Sequence, residues 1–116
     1  MIKEYFLLFA SKKTSVDELA FSIYKKLDLE FTQKESLYVG IYNCYSGLYA
    51  DKLTVEYNYV NNEWKFDKYQ DYSIIIKLAN FTGKNKDKES KTKHLKERLI
   101  KIEDIILLEE SIIEKE

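Results

Sequence analysis

The run YSIIIKLANF, residues 72–81, most narrowly limits how this chain can fold. Ile74, Ile76 and Leu78 alternate along it as residues on one face of a β-strand do, and Ile75 makes the opposite face apolar as well. A strand that is apolar on both faces is typical of a sheet interior that is covered on each side. The run therefore predicts a central strand within a layered structure.

The N-terminal part of the chain predicts a strand followed by a helix. KEYFLLFAS, residues 3–11, has the aromatic and aliphatic composition of a buried strand. Ser15 and Glu18 have the spacing of a capping box, in which a hydroxyl and a carboxylate satisfy free amide groups at the start of a helix. Apolar residues then recur with helical spacing in one stripe: Val16, Leu19, Ala20, Ile23 and Leu27.

Two strands are predicted in the middle of the chain, with Ser46-Gly47 in the turn region between them. The first strand presents one aliphatic face, formed by Leu37, Val39 and Ile41. The second strand presents a face formed by Leu53, Val55, Tyr57 and Tyr59.

The C-terminal part predicts a second helix and a last strand. Residues 82–93 read as a polar loop that runs into a helix whose apolar stripe includes Leu95, Leu99 and Ile102. Residues 105–116 are either a final strand or the end of this helix, and a strand over residues 105–109 is favoured, because four consecutive aliphatic residues overfill a single helical stripe.

These elements define an expected fold class. A chain of 116 residues corresponds to a single domain, and we expect residues 1–116 to form one α+β domain. The pattern predicts a mostly antiparallel sheet of about five to six strands with two helices packed on one face. The specific expectation is a ferredoxin-like core with an inserted hairpin.

Composition limits which cellular compartment and which partners are expected for this chain. The net charge of −1, from 19 basic and 20 acidic side chains, does not call for a nucleic acid or an anionic membrane as the partner. The single cysteine, Cys44, cannot form an intrachain disulfide, which favours a reducing compartment. No apolar run is long enough for a signal peptide or a membrane span. We therefore expect a cytoplasmic protein.

Residues suited to catalysis or metal binding are few. A Cys–His nucleophile pair would need Cys44 and His94 to be adjacent in space, whereas the first sits at a predicted strand end and the second near a helix start. Zinc sites draw on several Cys and His residues, and no glycine-rich phosphate-binding motif occurs. We predict no catalytic residue, no metal and no cofactor, and we do not expect an enzyme.

Charge is distributed unevenly near the C-terminus. Residues 84–101 contain eight basic and three acidic side chains, whereas residues 103–116 contain six acidic ones and one lysine. The basic run is either a nucleic-acid patch or a solvated helix face balanced by the acidic tail. The second interpretation is favoured, because no aromatic residues alternate with the basic ones for base stacking.

The stretch TVEYNYVNNEWKFDKY, residues 54–69, predicts a β-hairpin. Asn61-Asn62 forms its turn, because Asn tolerates the left-handed backbone conformation that a two-residue turn requires. The resulting register places two aromatic pairs on one face, Tyr59 with Trp64 and Tyr57 with Phe66.

The other face of this predicted hairpin sets Glu56 directly opposite Asp67. Like charges in that position destabilise a strand pair. Two interpretations remain open at this point: Lys65, diagonal on the same face, neutralises the carboxylates, or the carboxylates bind a basic partner.

Tyrosine is concentrated in the same region, since six of the ten tyrosines lie between residues 38 and 59. Exposed tyrosines are enriched at protein interfaces, and carboxylates beside them suit a basic partner. The predicted partner-binding residues are Tyr42, Tyr45, Tyr49, Asp51, Glu56, Asp67, Tyr69 and Asp71.

The stretch YNCYSGLYADKLTVEYNYVNNEWKFDKY, residues 42–69, together with the style of the whole chain, resembles the immunity proteins that accompany bacterial toxins, particularly those of contact-dependent growth inhibition. The resemblance implies tight binding to one cognate toxin domain, often a nuclease, whose active site or substrate path the immunity protein blocks. These families are mutually dissimilar, so the resemblance assigns no role to a particular residue.

A small single-stranded RNA-binding module is the alternative. Bases stack on the aromatic residues of an open sheet that has helices behind it. This alternative requires an exposed aromatic set with the basic segment 84–101 beside it: Tyr57, Tyr59, Trp64 and Phe66.

Overall fold

A computed structural model describes all residues, 1–116. In chain order the elements are β1 (Ile2–Ser11), α1 (Val16–Leu27), β2 (Thr32–Ser36), β3 (Gly40–Tyr45), β4 (Lys52–Tyr57), β5 (Tyr59–Val60), β6 (Glu63–Trp64), a short 3-10 helix (Asp67–Tyr69), β7 (Ile74–Asn80), α2 (Asn85–Leu99) and β8 (Ile106–Lys115). Neither helix combines the length and apolar composition that a membrane span requires.

Six strands form one sheet in the order β2-β3-β4-β7-β1-β8, and all neighbouring strands are antiparallel. The four strands β4, β7, β1 and β8, with α1 after β1 and α2 after β7, have the order and directions of a ferredoxin-like core. Strands β2 and β3 extend the sheet beyond β4, and β5–β6 is an inserted two-stranded hairpin. The predicted α+β class is therefore confirmed, with six strands in the main sheet and two α-helices.

Both helices cover the same face of the sheet. Leu7 and Phe9 of β1 alternate onto this face and join a cluster of 17 buried residues to which both helices contribute. Helix α1 begins where predicted, because the Ser15 hydroxyl accepts a hydrogen bond from Glu18 N–H at 3.2 Å. Most of its predicted apolar stripe is buried, including Leu19.

The opposite face, which we call the outer face, is covered over part of its area by residues 65–72. The partly buried rings of Phe66, Tyr69 and Tyr72 pack against a small cluster formed by Leu8, Ala10 and Ile75. This cover confirms the prediction that β7 is a central strand with apolar residues on both faces, since Ile75 is 1% exposed.

Asn58 redirects the chain where β4 ends. Its side chain is fully buried, accepts a hydrogen bond from Phe66 N–H at 2.9 Å, and donates to the carbonyls of Tyr69 and Tyr72 at 3.0 Å each. These bonds replace the ladder that a continuous hairpin would make. As a result β5 is not a continuation of β4, and Tyr59 does not share the β4 face as predicted.

The predicted hairpin register is right at the turn and wrong below it. Asn61 and Asn62 have φ of 54° and 65°, and Tyr59 pairs with Trp64 as expected. At the predicted pair of Glu56 with Asp67, three positions below Tyr59 and Trp64, the prediction fails, because Glu56 pairs with Ile75 of β7 and Asp67 begins the 3-10 helix. Pairing β4 with the isoleucine-rich strand buries more apolar surface than a polar hairpin could.

The predicted strand face of Leu37, Val39 and Ile41 is also wrong. Residues 37–39 form the turn between β2 and β3, so that Leu37 and Tyr38 are 78% and 74% exposed. Strand β2 was not predicted, because its sequence TQKES is polar on both faces, as suits an edge strand that must not attract other strands.

The C-terminal segment is a strand, as predicted, but it is longer than residues 105–109. Strand β8 runs from Ile106 to Lys115 and pairs with nearly the whole of β1. A register shift near Leu8 and Phe9 of β1 interrupts the pairing once.

Candidate partner-binding groove

Three of the eight predicted contact residues lie together where β4 begins. The hydroxyl of Tyr45 accepts a hydrogen bond from Tyr49 N–H at 3.3 Å, and the Tyr45 ring packs against the core. The Tyr49 ring stacks on the imidazole of His94, with centroids 5.1 Å apart and planes at 11°. This stack connects the β3–β4 loop to α2.

Asp51, the third residue of this group, has its oxygens engaged within the fold. They accept hydrogen bonds from Phe81 N–H at 2.6 Å and from the N–H and hydroxyl of Thr82, both at 2.8 Å. Burial alone would raise the pKa of Asp51, but these hydrogen bonds and the nearby Lys91 lower it below its usual range. Asp51 therefore holds the loop after β7 against the start of β4.

Glu56 is buried on the outer face and is already neutralised. Its carboxylate accepts a hydrogen bond from the Thr54 hydroxyl at 2.5 Å and lies 3.1 Å from the Lys77 ammonium. The cation beside it is thus Lys77 of β7, whereas the sequence suggested Lys65. A carboxylate that is satisfied in this way is not available to a partner.

Tyr69 also makes its main polar contact within the molecule. Its hydroxyl donates to Glu109 of β8 at 2.5 Å, and Lys68 lies 3.2 Å from the same carboxylate. The hydrogen bond from Tyr69 and then the one from Lys68 hold the pKa of Glu109 below its usual range. The same contacts raise the pKa of Tyr69 and of Lys68.

The remaining three predicted residues lie away from the group formed by Tyr45, Tyr49 and Asp51. Asp67 and Asp71 are exposed near the 3-10 helix, and Tyr42 is half-buried on the outer face of β3. Because β4 runs between them, the group at Asp51 and the group at Glu56 lie near opposite ends of one strand, about 17 Å apart. The eight residues therefore do not form one surface.

A groove between α1 and the β2–β3 edge combines the features that the sequence suggested elsewhere. It has a volume of about 350 Å³ and is lined by Asp17, Ala20, Phe21, Tyr24, Glu30, Phe31 and Asn43. We call it the α1–β2 groove. Two of its aromatic side chains are exposed, since Phe21 is 59% and Tyr24 is 40% accessible.

Asp17 is held in a fixed orientation at this groove. Both of its carboxylate oxygens lie 3.0 Å from the side-chain amide nitrogen of Gln33, and one accepts a hydrogen bond from the Asn43 amide at 2.9 Å. These donors are neutral, so the negative charge of Asp17 is oriented without being cancelled.

The lining of the groove carries two carboxylates, those of Asp17 and Glu30, and no basic side chain. Lys25 lies outside the lining, and its ammonium is 5.6 Å from the centre of the Phe21 ring. A cation that entered the groove would meet negative charge together with aromatic faces, and both attract cations.

Sequence reasoning overlooked this groove, although a signal was present. Asp17, Phe21 and Tyr24 follow one another at i, i+4 and i+7, which forms a second stripe on α1 beside the buried one. An amphipathic helix with aromatic residues off its apolar stripe points to a surface that contacts something else. The contributions of Phe31 and Asn43 depend on how β2 and β3 pair, which the sequence did not show.

The RNA-binding alternative required four exposed aromatic residues on one sheet surface. Tyr57 instead packs against the core on the helix-covered face. Phe66 packs against the small cluster on the outer face. Tyr59 and Trp64 form a tilted pair 4.9 Å apart on the separate β5–β6 hairpin. The four rings therefore do not form a stacking platform.

The basic segment 84–101 lies largely on α2, on the helix-covered side of the sheet. Its Lys88 is 1% exposed, and Lys96 forms an ion pair with Glu110 of β8. This pair joins the basic helix to the acidic C-terminal strand, in keeping with the interpretation of a balanced helix face.

Comparison of the chain with protein-family models, with curated proteins and with solved structures found no match. The α1–β2 groove is therefore interpreted from its own geometry. No group of three or more His, Cys, Asp or Glu side chains is arranged to hold a metal ion.

Proposed function

We propose that this protein is an immunity protein, which binds a cognate bacterial toxin domain and neutralises it by occluding its active site or substrate path. The observation that carries the proposal is the α1–β2 groove, where the oriented carboxylate of Asp17 lies beside exposed aromatic rings and the lining contains no basic side chain. Toxin domains that act on nucleic acids present basic surfaces, and an acidic inhibitor is complementary to such surfaces.

The aromatic residues supply contact area with little loss of side-chain conformational entropy. Phe21 and Tyr24 project from a helix and have few rotatable bonds, so that little conformational freedom is lost when a partner covers them. Asp17 is already oriented by Gln33 and Asn43, which reduces the loss further. A Lys or Arg side chain of the toxin would enter the groove with its stem on the rings and its charge beside Asp17.

Calorimetric titration against a cognate toxin domain, identified by pull-down with this protein and mass spectrometry, tests the proposal. The combined variant Asp17→Lys with Phe21→Ala should weaken binding by about a hundredfold or more, because an interface anchor and a complementary charge are both lost. It should also restore the toxin's activity in an inhibition assay at matched concentrations.

A matched control changes one carboxylate and one aromatic ring elsewhere on the surface. Glu103→Lys with Tyr38→Ala alters an exposed carboxylate and an exposed ring outside the groove, and should leave the affinity within about threefold of wild type. If the groove variant bound the toxin as tightly as the control variant does, the groove would not be the toxin-binding site. Salt-sensitive binding of a single-stranded oligonucleotide, with no binding to the toxin, would instead favour the RNA-binding alternative.

A further inference from the structure

The α1–β2 groove contains an amide oxygen that has no partner within the chain. The Asp17 carboxylate has only acceptor atoms, so the side-chain amides of Gln33 and Asn43 turn their nitrogens toward it. The carbonyl oxygen of the Asn43 amide therefore points away from Asp17, and it accepts no hydrogen bond although Asn43 is only 6% exposed. Every fully enclosed side-chain oxygen has a partner, so this oxygen is open to the space that Asn43 lines, which is the groove.

The two carboxylates of the groove can also accept further hydrogen bonds. One Asp17 oxygen takes donors from both Gln33 and Asn43, whereas the other takes only the Gln33 donor and has room for a second. Glu30 is exposed and forms neither a hydrogen bond nor an ion pair within the chain. The groove thus presents free acceptor oxygens from three residues, and two of these residues are negatively charged.

Lys25, the basic residue beside the groove, does not satisfy these acceptors. Its ammonium lies over the Phe21 ring, 5.6 Å from the ring centre, and forms no ion pair with Asp17 or Glu30. Two carboxylates against this one ammonium leave the groove with a negative charge. A ligand that matches the groove therefore carries positive charge and several hydrogen-bond donors.

We propose that the group held in this groove is an arginine side chain of the protein partner, an inference that rests on the proposed function for the nature of that partner. The arginine guanidinium has five N–H donors and no acceptor, which matches a set of acceptor oxygens. It is planar, weakly hydrated and stacks on aromatic faces, so it suits a groove that Phe21 and Tyr24 line.

A lysine side chain fits the same groove less well. Its ammonium has three donors, so it satisfies fewer of the free oxygens, and it binds water more strongly than a guanidinium does. It therefore loses more hydration when it enters. The volume of about 350 Å³, near the lower end for ligand pockets, suits one side chain and not a longer segment.

Titration of the isotope-labelled chain with short peptides, followed by nuclear magnetic resonance, tests the inference without a toxin. The probes are acetylated and amidated Gly-Arg-Gly and Gly-Lys-Gly, which have the same charge. The arginine peptide should shift the side-chain amide signal of Asn43 until it saturates. It should bind about tenfold more tightly than the lysine peptide, because only the guanidinium combines planar stacking with several donors.

Two variants test the parts of the groove separately. Asp17→Asn should weaken binding of the arginine peptide by about fivefold or more, because the oriented charge is lost. Its matched control is Glu18→Gln, which removes a negative charge from the same first turn of α1 outside the groove lining, and should change the affinity by less than about twofold. Phe21→Leu keeps an apolar side chain without a ring, and should reduce the preference for arginine over lysine.

Three results overturn the inference. The first is equal affinity for the two peptides, and the second is the absence of saturable binding by the arginine peptide. The third is a shift of the Asn43 signal by calcium chloride together with loss of the response to the arginine peptide, because the acceptor oxygens would then hold a metal ion.

Failure of this inference is distinguishable from failure of the proposed function. A chain that binds its toxin through the groove but binds both peptides equally retains the proposed function and loses the arginine specificity. A chain that prefers the arginine peptide but binds no toxin retains the arginine site and loses the proposed function.

Discussion

The two faces of the main sheet are stabilised in different ways. The helix-covered face joins a cluster of 17 buried residues, whereas the buried cluster on the outer face has only three, so that apolar burial is concentrated on one side. On the outer face an irregular segment, residues 65–72, lies over the sheet and is held by hydrogen bonds from Asn58 and an ion-paired carboxylate on β8.

This difference indicates which part of the fold should open first. Apolar burial is proportional to area and tolerates small shifts, whereas a few directional hydrogen bonds are lost together when one partner moves. Residues 65–72 should therefore exchange their amide protons through local openings, and the helix-covered strands only through global unfolding. The predictions below test this contrast from the largest effect to the smallest.

Removing a large side chain from the helix-covered face should have the largest effect. Phe9 is fully buried in the main core, and Phe9→Ala should lower the free energy of unfolding by about 3–5 kcal/mol, because it removes apolar contacts and leaves a cavity. Urea denaturation measures the change. The control Phe21→Ala, at an exposed ring, should stay within about 0.5 kcal/mol of wild type. A similar loss in both variants would mean that the core is assigned wrongly.

Asn58→Ala should have the next largest effect, about 2–4 kcal/mol. It leaves the Phe66 N–H and the Tyr72 carbonyl without the partner that Asn58 supplies, and leaves the Tyr69 carbonyl with only the Tyr72 N–H. Hydrogen exchange should accelerate first in residues 65–72. Gln70→Ala, at an exposed position of the same segment, is the control and should be nearly neutral. Uniform acceleration across the sheet would contradict a local role.

Substitutions at Glu56 and Asp67 distinguish the observed register from the register predicted by sequence. Glu56→Gln should cost about 1 kcal/mol, because it weakens the contact with Lys77, and Asp67→Asn should change stability by less than about 0.5 kcal/mol. A double-mutant cycle measured by urea denaturation should find coupling of Glu56 with Lys77 and none with Asp67. If Glu56 and Asp67 faced each other, the Asp67→Asn variant would instead be more stable than the wild type, because the repulsion between the two carboxylates would be removed.

Tyr69→Phe should have the smallest effect, and that effect should depend on pH. The lowered pKa of Glu109 contributes stability above its unfolded-state pKa, and this contribution is lost as the pH falls through the folded-state pKa. The raised pKa values of Tyr69 and Lys68 contribute stability that is present below their unfolded-state pKa values and is lost as the pH rises through the folded-state values.

Urea midpoints of the wild type and Tyr69→Phe should therefore differ most near neutral pH, and should converge in strong acid and in strong alkali. The control is Tyr72→Phe, which removes a hydroxyl with no hydrogen-bond partner in the structure and should produce a difference independent of pH. A constant difference for Tyr69→Phe would show that its hydroxyl is not coupled to Glu109.

Local patterns predicted the elements of this fold that bury apolar residues on a regular period. Strand β1, helix α1 and strand β7 follow their periodicity closely, because the core selects their buried faces. Strand β2 escaped prediction because an edge strand has no buried face to impose alternation. The turn at Asn61-Asn62 was predictable from residue type, since a left-handed backbone at two successive positions favours Asn.

The candidate site was harder to predict than the fold. The predicted acidic rung assumed that neighbours along the chain remain neighbours in the sheet, and β7 displaced β6 as the partner of β4. The α1–β2 groove joins residues from a helix and from two strands that pair only after the sheet has formed. Only its helical part, Phe21 and Tyr24 beside the buried stripe, was visible in the sequence.

The pairing of Tyr57 with Ile74 also has a consequence for how this chain can vary. Residues 58–73 leave the sheet and return to it at directly opposed positions, about 5 Å apart. A tight turn could therefore bridge the same two strand ends without shifting any other register. The apolar cover over Ile75, the contacts of Tyr69 and Lys68 with Glu109, and the hydrogen bond from Asn61 to the Leu37 carbonyl tie the excursion to the rest of the fold. Insertions, deletions and grafted loops should be tolerated between these two residues, provided that each replacement supplies such a cover.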